Sequence, residues 1–408
     1  MKIAIIGGGA SGLACAIEAM DTAKKRKINI SVTVFEKNDR VGKKILATGN
    51  GRCNITNTDC DKKFYISSCD FASFALSKYS ARSNISFFEK LGIFTRTDEE
   101  GRVYPLSNQA AGVLDSLRFG CERRGVCFVC DIVIQHIEKI QGKYLLNGEY
   151  MFDKVVLSCG GMAGVKNFNG YNLLSSLDIP VTETAPSLVR LVTPDKITKQ
   201  LKGIRAAVVL TLEIQGKTVA KEKGEILFSD NVLSGIASMQ LSSYIARHFK
   251  KSKSKPLVHV DFVSDFSFDE LVSKLKYICS NCAETSCENL LSAFMPKKIG
   301  IAILNKCDVN SSKPMSRLTQ KELSLIAGIS KRFTFEISGT KDYVDAQVTS
   351  GGADTSYFNK ETMESKNNKG FFCCGEVLDV DGLCGGYNLQ WAWSSGRLAG
   401  SSIIGDRK

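Results

Sequence analysis

The chain has 408 residues, of which 43% are hydrophobic and 24% are charged, and its formal net charge is +12. This length predicts a large principal domain with one or two smaller ones, and the composition excludes disordered, coiled-coil and collagen-like chains. The longest apolar runs, such as residues 3–6 and 155–157, have the length of single strands. We therefore expect a globular protein without a membrane-crossing helix.

The first residues run directly into glycines and leave no room for a secretory signal, so we expect a cytoplasmic protein. In a reducing compartment the 15 cysteines are expected to be free thiols. Cys127 and Cys130 fall in a strand-like run and are expected to lie in the core. A zinc or iron–sulfur hypothesis arises for four others, but their spacing is irregular and we predict no metal site: Cys279, Cys282, Cys287 and Cys307.

The first 35 residues predict a strand, a glycine turn, a helix and a second strand, which is a βαβ opening. Gly7, Gly9 and Gly12 form G-x-G-x-x-G in that turn. The first allows the tight turn, the second lets the backbone approach a pyrophosphate, and the third lets helix and strand pack closely. The second strand ends in Glu36, whose carboxylate can accept hydrogen bonds from ribose hydroxyls. Together these features predict a dinucleotide site.

Three other segments predict ligand contacts, one near the N-terminus and two near the C-terminus. Residues 42–57 combine glycines, which permit close backbone approach, with Asn and Arg side chains, which donate to phosphate or ring carbonyl groups. Residues 371–376 predict a strand and a turn, and residues 385–390 open a helix that runs to about Ala399. The start of that helix would direct free N–H groups at an electron-rich ring edge.

The middle of the chain changes composition near residues 186–194 and then favours strands. We predict an α/β fold in which residues 1–190 and 332–408 form one nucleotide-binding domain. Residues 191–331 are predicted to form an inserted substrate or cap domain, β-rich over about 191–255 and helical over about 256–331.

Several longer motifs support a specific relationship. They are Asn-Gly-Arg-Cys-Asn at 50–54, Gly-Arg-Val-Tyr-Pro at 101–105, Glu-Val-Leu-Asp-Val-Asp-Gly at 376–382 and Gly-Gly-Tyr-Asn-Leu-Gln at 385–390. On these motifs the sequence resembles the bacterial aminoacetone-oxidase-like and bile-acid-dehydroxylation-like FAD flavoproteins, a branch of the glutathione-reductase-type fold. The resemblance covers nearly the whole chain. It implies a Rossmann-like domain that binds FAD non-covalently and an oxidoreductase that acts on a small organic substrate.

The resemblance also implies roles for individual residues. It places Gly7–Gly12 on the pyrophosphate, Glu36 on the adenosine ribose and residues 49–54 beside the flavin, with Glu376 and Tyr387–Leu389 near its ribityl chain and ring. No catalytic residue is predicted. The predicted cofactor-binding residues are Gly7, Gly9, Ala10, Ser11, Gly12, Glu36, Lys37, Lys44, Gly49, Asn50, Gly51, Arg52, Cys53, Asn54, Gly160, Gly375, Glu376, Gly386, Tyr387, Asn388 and Leu389.

The electron donor or acceptor is open at this point. The chain contains a single G-x-G-x-x-G, so we predict no separate NAD(P)H domain of the glutathione-reductase kind. One hypothesis is an amine or alcohol oxidase that uses oxygen, and another is a reductase of an enone-like substrate that uses transient NAD(P)H. The sequence specifies no oligomeric state.

A hypothesis of a different class is an RNA-associated flavoprotein. It is motivated by the +12 charge and by the lysine-rich runs 24–27 and 250–255. Those runs contain no aromatic residues that could stack on bases, so we expect a small-molecule partner and no nucleic acid.

Overall fold

The computed structural model describes residues 1–165, 168 and 170–405. The chain divides into two compact units, a first unit of Met1–Ala185 with Val348–Lys408 and a second unit of Pro186–Gln347. Residues 166, 167, 169 and 406–408, which belong to the predicted nucleotide-binding domain, lie outside the described residues. Each unit has its own hydrophobic core.

The helices vary from single turns to 17 residues. Within the described residues the α-helices are α1 Ala10–Arg26, α2 Lys43–Leu46, α3 Cys69–Lys78, α4 Ala81–Lys90, α5 Ala110–Glu122, α6 Asn172–Ser175, α7 Ile197–Gln200, α8 Ile236–Lys251, α9 Phe268–Asn281, α10 Lys297–Lys306, α11 Gln320–Lys331 and α12 Tyr387–Ile403. None of them combines the length and apolar character that a bilayer crossing would require.

The strands are mostly short, and the longest two belong to the second unit. They are β1 Lys2–Ile6, β2 Ser31–Phe35, β3 Thr56–Asn57, β4 Thr95–Thr97, β5 Arg102–Pro105, β6 Cys127–Val129, β7 Ile137–Ile140, β8 Lys143–Leu146, β9 Tyr150–Phe152, β10 Lys154–Leu157, β11 Ala185–Ser187, β12 Leu191–Val192, β13 Arg205–Ile214, β14 Lys217–Ser229, β15 Val232–Ser234, β16 Leu257–Asp261, β17 Phe333–Glu336, β18 Gly339–Thr340, β19 Val348–Ser350 and β20 Phe371–Cys373.

The first unit is built on a parallel sheet with the order β20-β10-β1-β2-β6. Its central strand β1 is apolar and buried from Ile3 to Ile6, as expected for a parallel sheet that is covered on both faces. Because β20 comes from the C-terminal part of the chain, both ends of the sequence contribute to one sheet. This confirms the predicted α/β class with a Rossmann-like sheet.

The edge of this sheet corrects one expectation. Cys127 begins β6, which pairs only with β2 within the described sheet, and its side chain is exposed rather than in the core. Cys130, just beyond the strand, is half-buried. An edge strand has one side without a neighbouring strand, and the local sequence pattern does not indicate which strand takes that position.

Two glycines allow α12 to pack closely against α1. A Cβ atom at Gly396 would overlap the carbonyl oxygen of Ser11, and one at Gly400 would overlap that of Cys15. Larger side chains at these positions would therefore separate the two helices. The close approach fixes the start of α1 against the C-terminal part of the chain.

The second unit contains an antiparallel sheet with the order β17-β16-β13-β14-β15-β12-β18. The β13–β14 hairpin turns at Gln215 and Gly216, both with positive φ. Helix α8 lies in the segment predicted to be β-rich, and its buried Ala237, Leu241 and Ile245 follow helical i, i+4 spacing. Strands β17 and β18 follow residue 331, where the predicted insertion ends, yet both pair within this sheet.

Candidate functional site

The glycine turn between β1 and α1 is closed on two sides and open on one. A Cβ atom at Gly7, whose φ is +106°, would lie 2.5 Å from the carbonyl oxygen of Ser158, and one at Gly12 would overlap the Gly7 carbonyl oxygen. At Gly9 a Cβ atom would meet no heavy atom within 4 Å. Gly7 and Gly12 therefore close the turn, whereas Gly9 faces space that a ligand could fill.

Helix α1 begins without the usual stabilisation of its first turn. Its N-cap is Gly9, no side chain caps it, and no acidic residue stands in the first turn. The N–H groups of Ala10 and Ser11 lie in that turn, where helices have no internal acceptors. Free N–H groups together with the positive end of the helix dipole are suited to a phosphate.

Glu36 lies beside this turn and is 8% exposed. Its Oε2 accepts a hydrogen bond from the Gly8 N–H at 3.0 Å, and its Oε1 accepts from the backbone N–H of Asn38 at 3.0 Å and from its side-chain amide at 2.5 Å. These bonds fix the carboxylate, and each oxygen can still accept from a ribose hydroxyl. Lys37, the next predicted residue, is exposed.

The loop of residues 49–54 has an unusual backbone. Gly49, Asn50, Gly51 and Cys53 have φ angles of +56°, +55°, +82° and +59°. Two of these residues are not glycine, and the left-handed region costs energy for side chains with a Cβ atom. Such local strain is common at ligand sites. With this conformation the end of the loop, at Asn54, lies beside Gly386 of the C-terminal part of the chain.

Asn54 carries an unsatisfied polar atom. Its Oδ1 is buried and has no hydrogen-bond partner. A Cβ atom at Gly386 would lie 3.0 Å from this oxygen, so the orphan acceptor stands at the turn before α12. Buried acceptors are nearly always paired, and an unpaired one here is consistent with a ligand that donates a hydrogen bond.

Helix α12 begins at Tyr387 with Gly386 as its N-cap, at a φ of +101°, and no side chain caps it. The Asn388 side chain does not cap the helix: its Oδ1 accepts from the Gly382 N–H at 2.8 Å, and its Nδ2 donates to the carbonyl oxygens of Gly382 and Leu383. Within the described residues, the first turn up to Leu389 therefore keeps free backbone N–H groups.

A second group of predicted residues meets around Glu376. Its Oε2 lies 2.8 Å from Lys44 Nζ, and its Oε1 accepts from the Thr349 N–H at 2.8 Å. A Cβ atom at Gly160 would lie 3.9 Å from Oε2. A Cβ atom at Gly375 would lie 2.8 Å from Ser11 Cβ, so this group adjoins the start of α1.

Tyr104 is absent from the predicted site residues although it lies at this site. A Cβ atom at Gly49 would lie 3.6 Å from Tyr104 Cε1, and the Arg52 guanidinium carbon lies 5.0 Å from the centre of the Tyr104 ring. The Gly-Arg-Val-Tyr-Pro motif contains this residue, but its sequence alone does not connect it with the 49–54 loop.

The cysteines near the site are buried thiols. All 15 cysteines are free. Burial raises the pKa of Cys53 to about 11 and that of Cys159 to about 12, so neither is a reactive thiolate at neutral pH. Cys373 and Cys374 are fully buried. Among the residues that the structure describes, no group of three His, Cys, Asp or Glu side chains could hold a metal ion.

These features fit the predicted cofactor. The open space at Gly9 and the uncapped start of α1 suit the pyrophosphate of FAD, and Glu36 suits its ribose. The unpaired Asn54 Oδ1 and the uncapped start of α12 suit the edge of the flavin ring, which carries both an N–H donor and acceptors.

Comparison with known proteins supports the same assignment. Residues 1–402 match the family model described as the HI0933-like protein Rossmann domain. The chain is 31% identical over 406 residues to 3-dehydro-bile acid delta(4,6)-reductase of Clostridium scindens, with 98% of each chain covered. It is 29% identical over 413 residues to ribosomal RNA dihydrouridine synthase of Haemophilus influenzae, with 98% of this chain and 97% of the relative covered.

A solved structure agrees at the level of the fold. The chain is similar to 3-ketosteroid delta1-dehydrogenase from Sterolibacterium denitrificans with a TM-score of 0.50 and 12% identity, over 98% of both chains. The family predicted from the sequence motifs is thus confirmed. The chain belongs to the HI0933-like family of Rossmann flavoproteins and is an FAD-dependent oxidoreductase.

Proposed function

We propose that this protein reduces a carbon–carbon double bond conjugated to a carbonyl group, with a reduced nicotinamide as the transient electron donor. The observation that carries the proposal is the uncapped start of α12 beside the unpaired Asn54 Oδ1. A helix start directed at the flavin ring stabilises negative charge there, as a hydride donor requires.

The activities named for the relatives support a conjugated carbon–carbon double bond as the bond that is reduced. A delta(4,6)-reductase of a 3-dehydro bile acid acts on double bonds conjugated to a ketone. A dihydrouridine synthase saturates a uracil double bond that is also conjugated to a carbonyl. Both are reductions of a conjugated carbonyl compound, and this favours the reductase hypothesis over the amine or alcohol oxidase.

The chain's own residues hold the cofactor in this proposal. Gly9 and the N–H groups of Ala10 and Ser11 bind the pyrophosphate, Glu36 binds the ribose, and Tyr387–Leu389 direct N–H groups at the ring. Bound FAD supplies hydride transfer between the nicotinamide and the substrate. Because the chain has a single G-x-G-x-x-G, the nicotinamide binds transiently and not in a domain of its own.

A second candidate is the same reduction on a uridine in RNA. It is favoured by the dihydrouridine synthase relative and by the charge of the second unit, which has 24 Lys and Arg side chains against 16 Asp and Glu in 162 residues. Lys221 and Lys223 are exposed on one face of β14. Such charge favours binding to phosphodiesters.

Anaerobic flavin photometry tests the proposal. We expect NADH or NADPH to bleach the bound flavin and a conjugated ketone, such as a 4-ene-3-oxo steroid, to restore its colour before oxygen is admitted. Bleaching by an amine or alcohol, with no recovery upon addition of any conjugated carbonyl compound, would refute it in favour of the oxidase.

The RNA candidate is distinguished from the small-molecule reductase by its substrate and by the salt dependence of its RNA binding. A uridine-containing ribosomal RNA fragment should restore the colour where the steroid does not, and its binding should weaken steeply as salt rises. Recovery with the steroid alone, and RNA binding no stronger than that of a neutral protein, would exclude this candidate.

A further inference from the structure

Tyr104 combines a buried ring with an accessible, unpaired hydroxyl. It lies in β5, opposite Arg96 of β4, and the residue is only 7% exposed. Among the described residues its hydroxyl has no hydrogen-bond partner. The hydroxyl oxygen is also not among the polar atoms that are both unpaired and completely buried. The oxygen therefore reaches solvent-accessible space, where a substrate could accept its proton.

Three arginines stand near Tyr104. Arg96, opposite it in β4, donates to the Asn108 Oδ1 at 2.8 Å. Arg102, two residues earlier in β5, is already engaged in ion pairs with Glu100 and Asp98. Among the described residues Arg52 makes one long hydrogen bond, from Nε to the Gly49 carbonyl oxygen at 3.3 Å, and its guanidinium carbon lies 5.0 Å from the centre of the Tyr104 ring. Its positive charge would stabilise a phenolate at Tyr104.

Tyr104 and Arg52 lie next to the candidate cofactor site. Gly49 and Arg52 belong to the loop of residues 49–54, which ends at the unpaired Asn54 Oδ1 beside Gly386. A proton donor at this place stands next to the residues assigned to the flavin ring. Tyr65, another tyrosine of this region, is already engaged, because its hydroxyl donates to the Tyr387 carbonyl oxygen at 2.8 Å.

We propose that Tyr104 is the proton donor in the reduction of the conjugated double bond, with Arg52 stabilising the phenolate that it leaves. The inference rests on the proposed function. When hydride forms the new C–H bond at the β-carbon, the π electron pair moves through the α-carbon to the carbonyl oxygen and gives an enolate.

The second half of the reaction consumes the Tyr104 proton. As the enolate collapses, its electron pair forms a C–H bond at the α-carbon and the Tyr104 O–H bond breaks. Water then returns a proton to the phenolate. Over the cycle one hydride from NAD(P)H and one proton from solvent are consumed, and the C=C bond becomes a single bond.

The protonation state of Tyr104 suits this role. Burial raises its pKa above the ordinary phenol value, and nearby Asp98 and Cys384 add to this rise, while Arg52 and Arg102 act in the opposite direction. The phenol is thus protonated at neutral pH, and the cations limit how weak an acid it becomes. A donor in this state should work without loss of rate up to the alkaline range.

Tyr104→Phe tests the proposal, because it removes the hydroxyl and keeps the ring beneath Arg52. In anaerobic stopped-flow measurements on the holoenzyme, we expect flavin reduction by NAD(P)H to keep its rate. Reoxidation by the conjugated carbonyl should slow by about 100-fold or more, as for loss of a general acid. Tyr277→Phe is the matched control, since Tyr277 is 71% exposed in the second unit.

Two further measurements separate proton donation from a structural role. In D₂O the unaltered enzyme should place deuterium on one face of the α-carbon, and Tyr104→Phe should give a mixture of faces because water then supplies the deuteron. In the apoprotein, near-ultraviolet titration should show that Tyr104→Phe removes one phenol of raised pKa. Arg52→Gln should raise the pKa of that phenol further.

The outcomes are distinguishable. If no conjugated carbonyl compound reoxidises the flavin of the unaltered enzyme, the proposed function fails and this inference fails with it. If reoxidation is unchanged in Tyr104→Phe and deuteration keeps its facial selectivity, the reductase stands and the role of Tyr104 is refuted. Cys384, a half-buried thiol close enough to raise the pKa of Tyr104, is the alternative donor. Loss of facial selectivity in Cys384→Ala, with selectivity retained in Tyr104→Phe, would likewise refute the role of Tyr104 and assign it to that thiol.

Discussion

Two helix starts of the first unit differ from two helix starts of the second unit, and the difference bears on ligand binding and on stability. In the first unit, α1 and α12 begin on Gly9 and Gly386, with no side-chain cap and no acid in the first turn. In the second unit, α9 and α11 begin with complete capping boxes, formed by Ser267 with Glu270 and by Thr319 with Glu322.

This difference separates helix starts whose first N–H groups are open to a ligand from helix starts whose first N–H groups are already satisfied. A capping box satisfies the first N–H groups of a helix with the chain's own oxygens, and it stabilises the fold without any partner. An uncapped start leaves those groups to water or to a bound anion. We therefore expect changes at the first pair of helices to affect the flavin, and changes at the second pair to affect stability alone.

The largest effect is expected for Gly9→Val. The backbone at Gly9 has a φ of −85°, which valine can adopt, and a Cβ atom there meets no protein atom within 4 Å. The variant should fold but lose FAD, because its side chain fills the space assigned to the pyrophosphate. Flavin absorbance of the purified protein and the melting temperature of the apoprotein measure the two effects.

Gly339→Val is the control for this change. Gly339 lies in β18 of the second unit, and a Cβ atom there also meets nothing within 4 Å. FAD content should be unaffected by it. Normal flavin in Gly9→Val would contradict the placement of the pyrophosphate.

A smaller loss of affinity is expected for Glu36→Ala. The carboxylate accepts from Gly8 and Asn38 and is assigned to the ribose, so its removal should weaken FAD binding by about 1.5–3 kcal/mol, the range for hydrogen bonds to charged groups. Glu36→Gln should retain part of the affinity. Calorimetric titration of the apoprotein with FAD measures both, and an affinity equal to that of the unaltered protein would exclude a ribose contact.

Thr319→Ala should lower the free energy of unfolding by about 1 kcal/mol and leave FAD affinity unchanged, because it removes a cap of α11. Thr319→Ser keeps the hydroxyl and is the control.

The Lys313 ammonium and the Thr319 N–H lower the pKa of Glu322, the other member of this capping box. The contribution of this carboxylate is therefore fully present above its unfolded pKa and is lost as the pH falls through the lowered folded value. Denaturant unfolding at neutral and acidic pH measures the loss of stability in Thr319→Ala and the pH dependence of the Glu322 contribution.

The smallest effect is expected for Leu389→Pro, which removes one N–H from the first turn of α12. If that turn stabilises the reduced flavin, the reduction potential should fall by the equivalent of about 0.3–1 kcal/mol, with little change in melting temperature. Gly112→Pro places proline at the third position of α5 and should not change the potential. An unchanged potential in a Leu389→Pro variant that binds FAD would show that the helix is not directed at the ring.

Part of this comparison could be predicted from the sequence. The glycine turn, the helix after it and the acid at Glu36 are encoded within 36 consecutive residues, so spacing and residue type predict their arrangement. The capping boxes have equally local signatures, Ser-x-x-Glu and Thr-x-x-Glu. Helix α8 was not predicted, because short apolar runs fit both a strand and a buried helix.

The sequence alone determined the βαβ opening and the family, because turns, periodicity and motifs depend on neighbouring residues. Only the tertiary structure decided that β20 completes the parallel sheet, that Gly375 reaches Ser11 and that Asn54 meets Gly386. It likewise placed Tyr104 beneath Arg52. The paired residues stand about 50 to more than 300 positions apart in the chain, and no local pattern specifies which of them meet. Their contacts follow from the packing of whole elements, such as the close approach of α12 to α1 at Gly396 and Gly400.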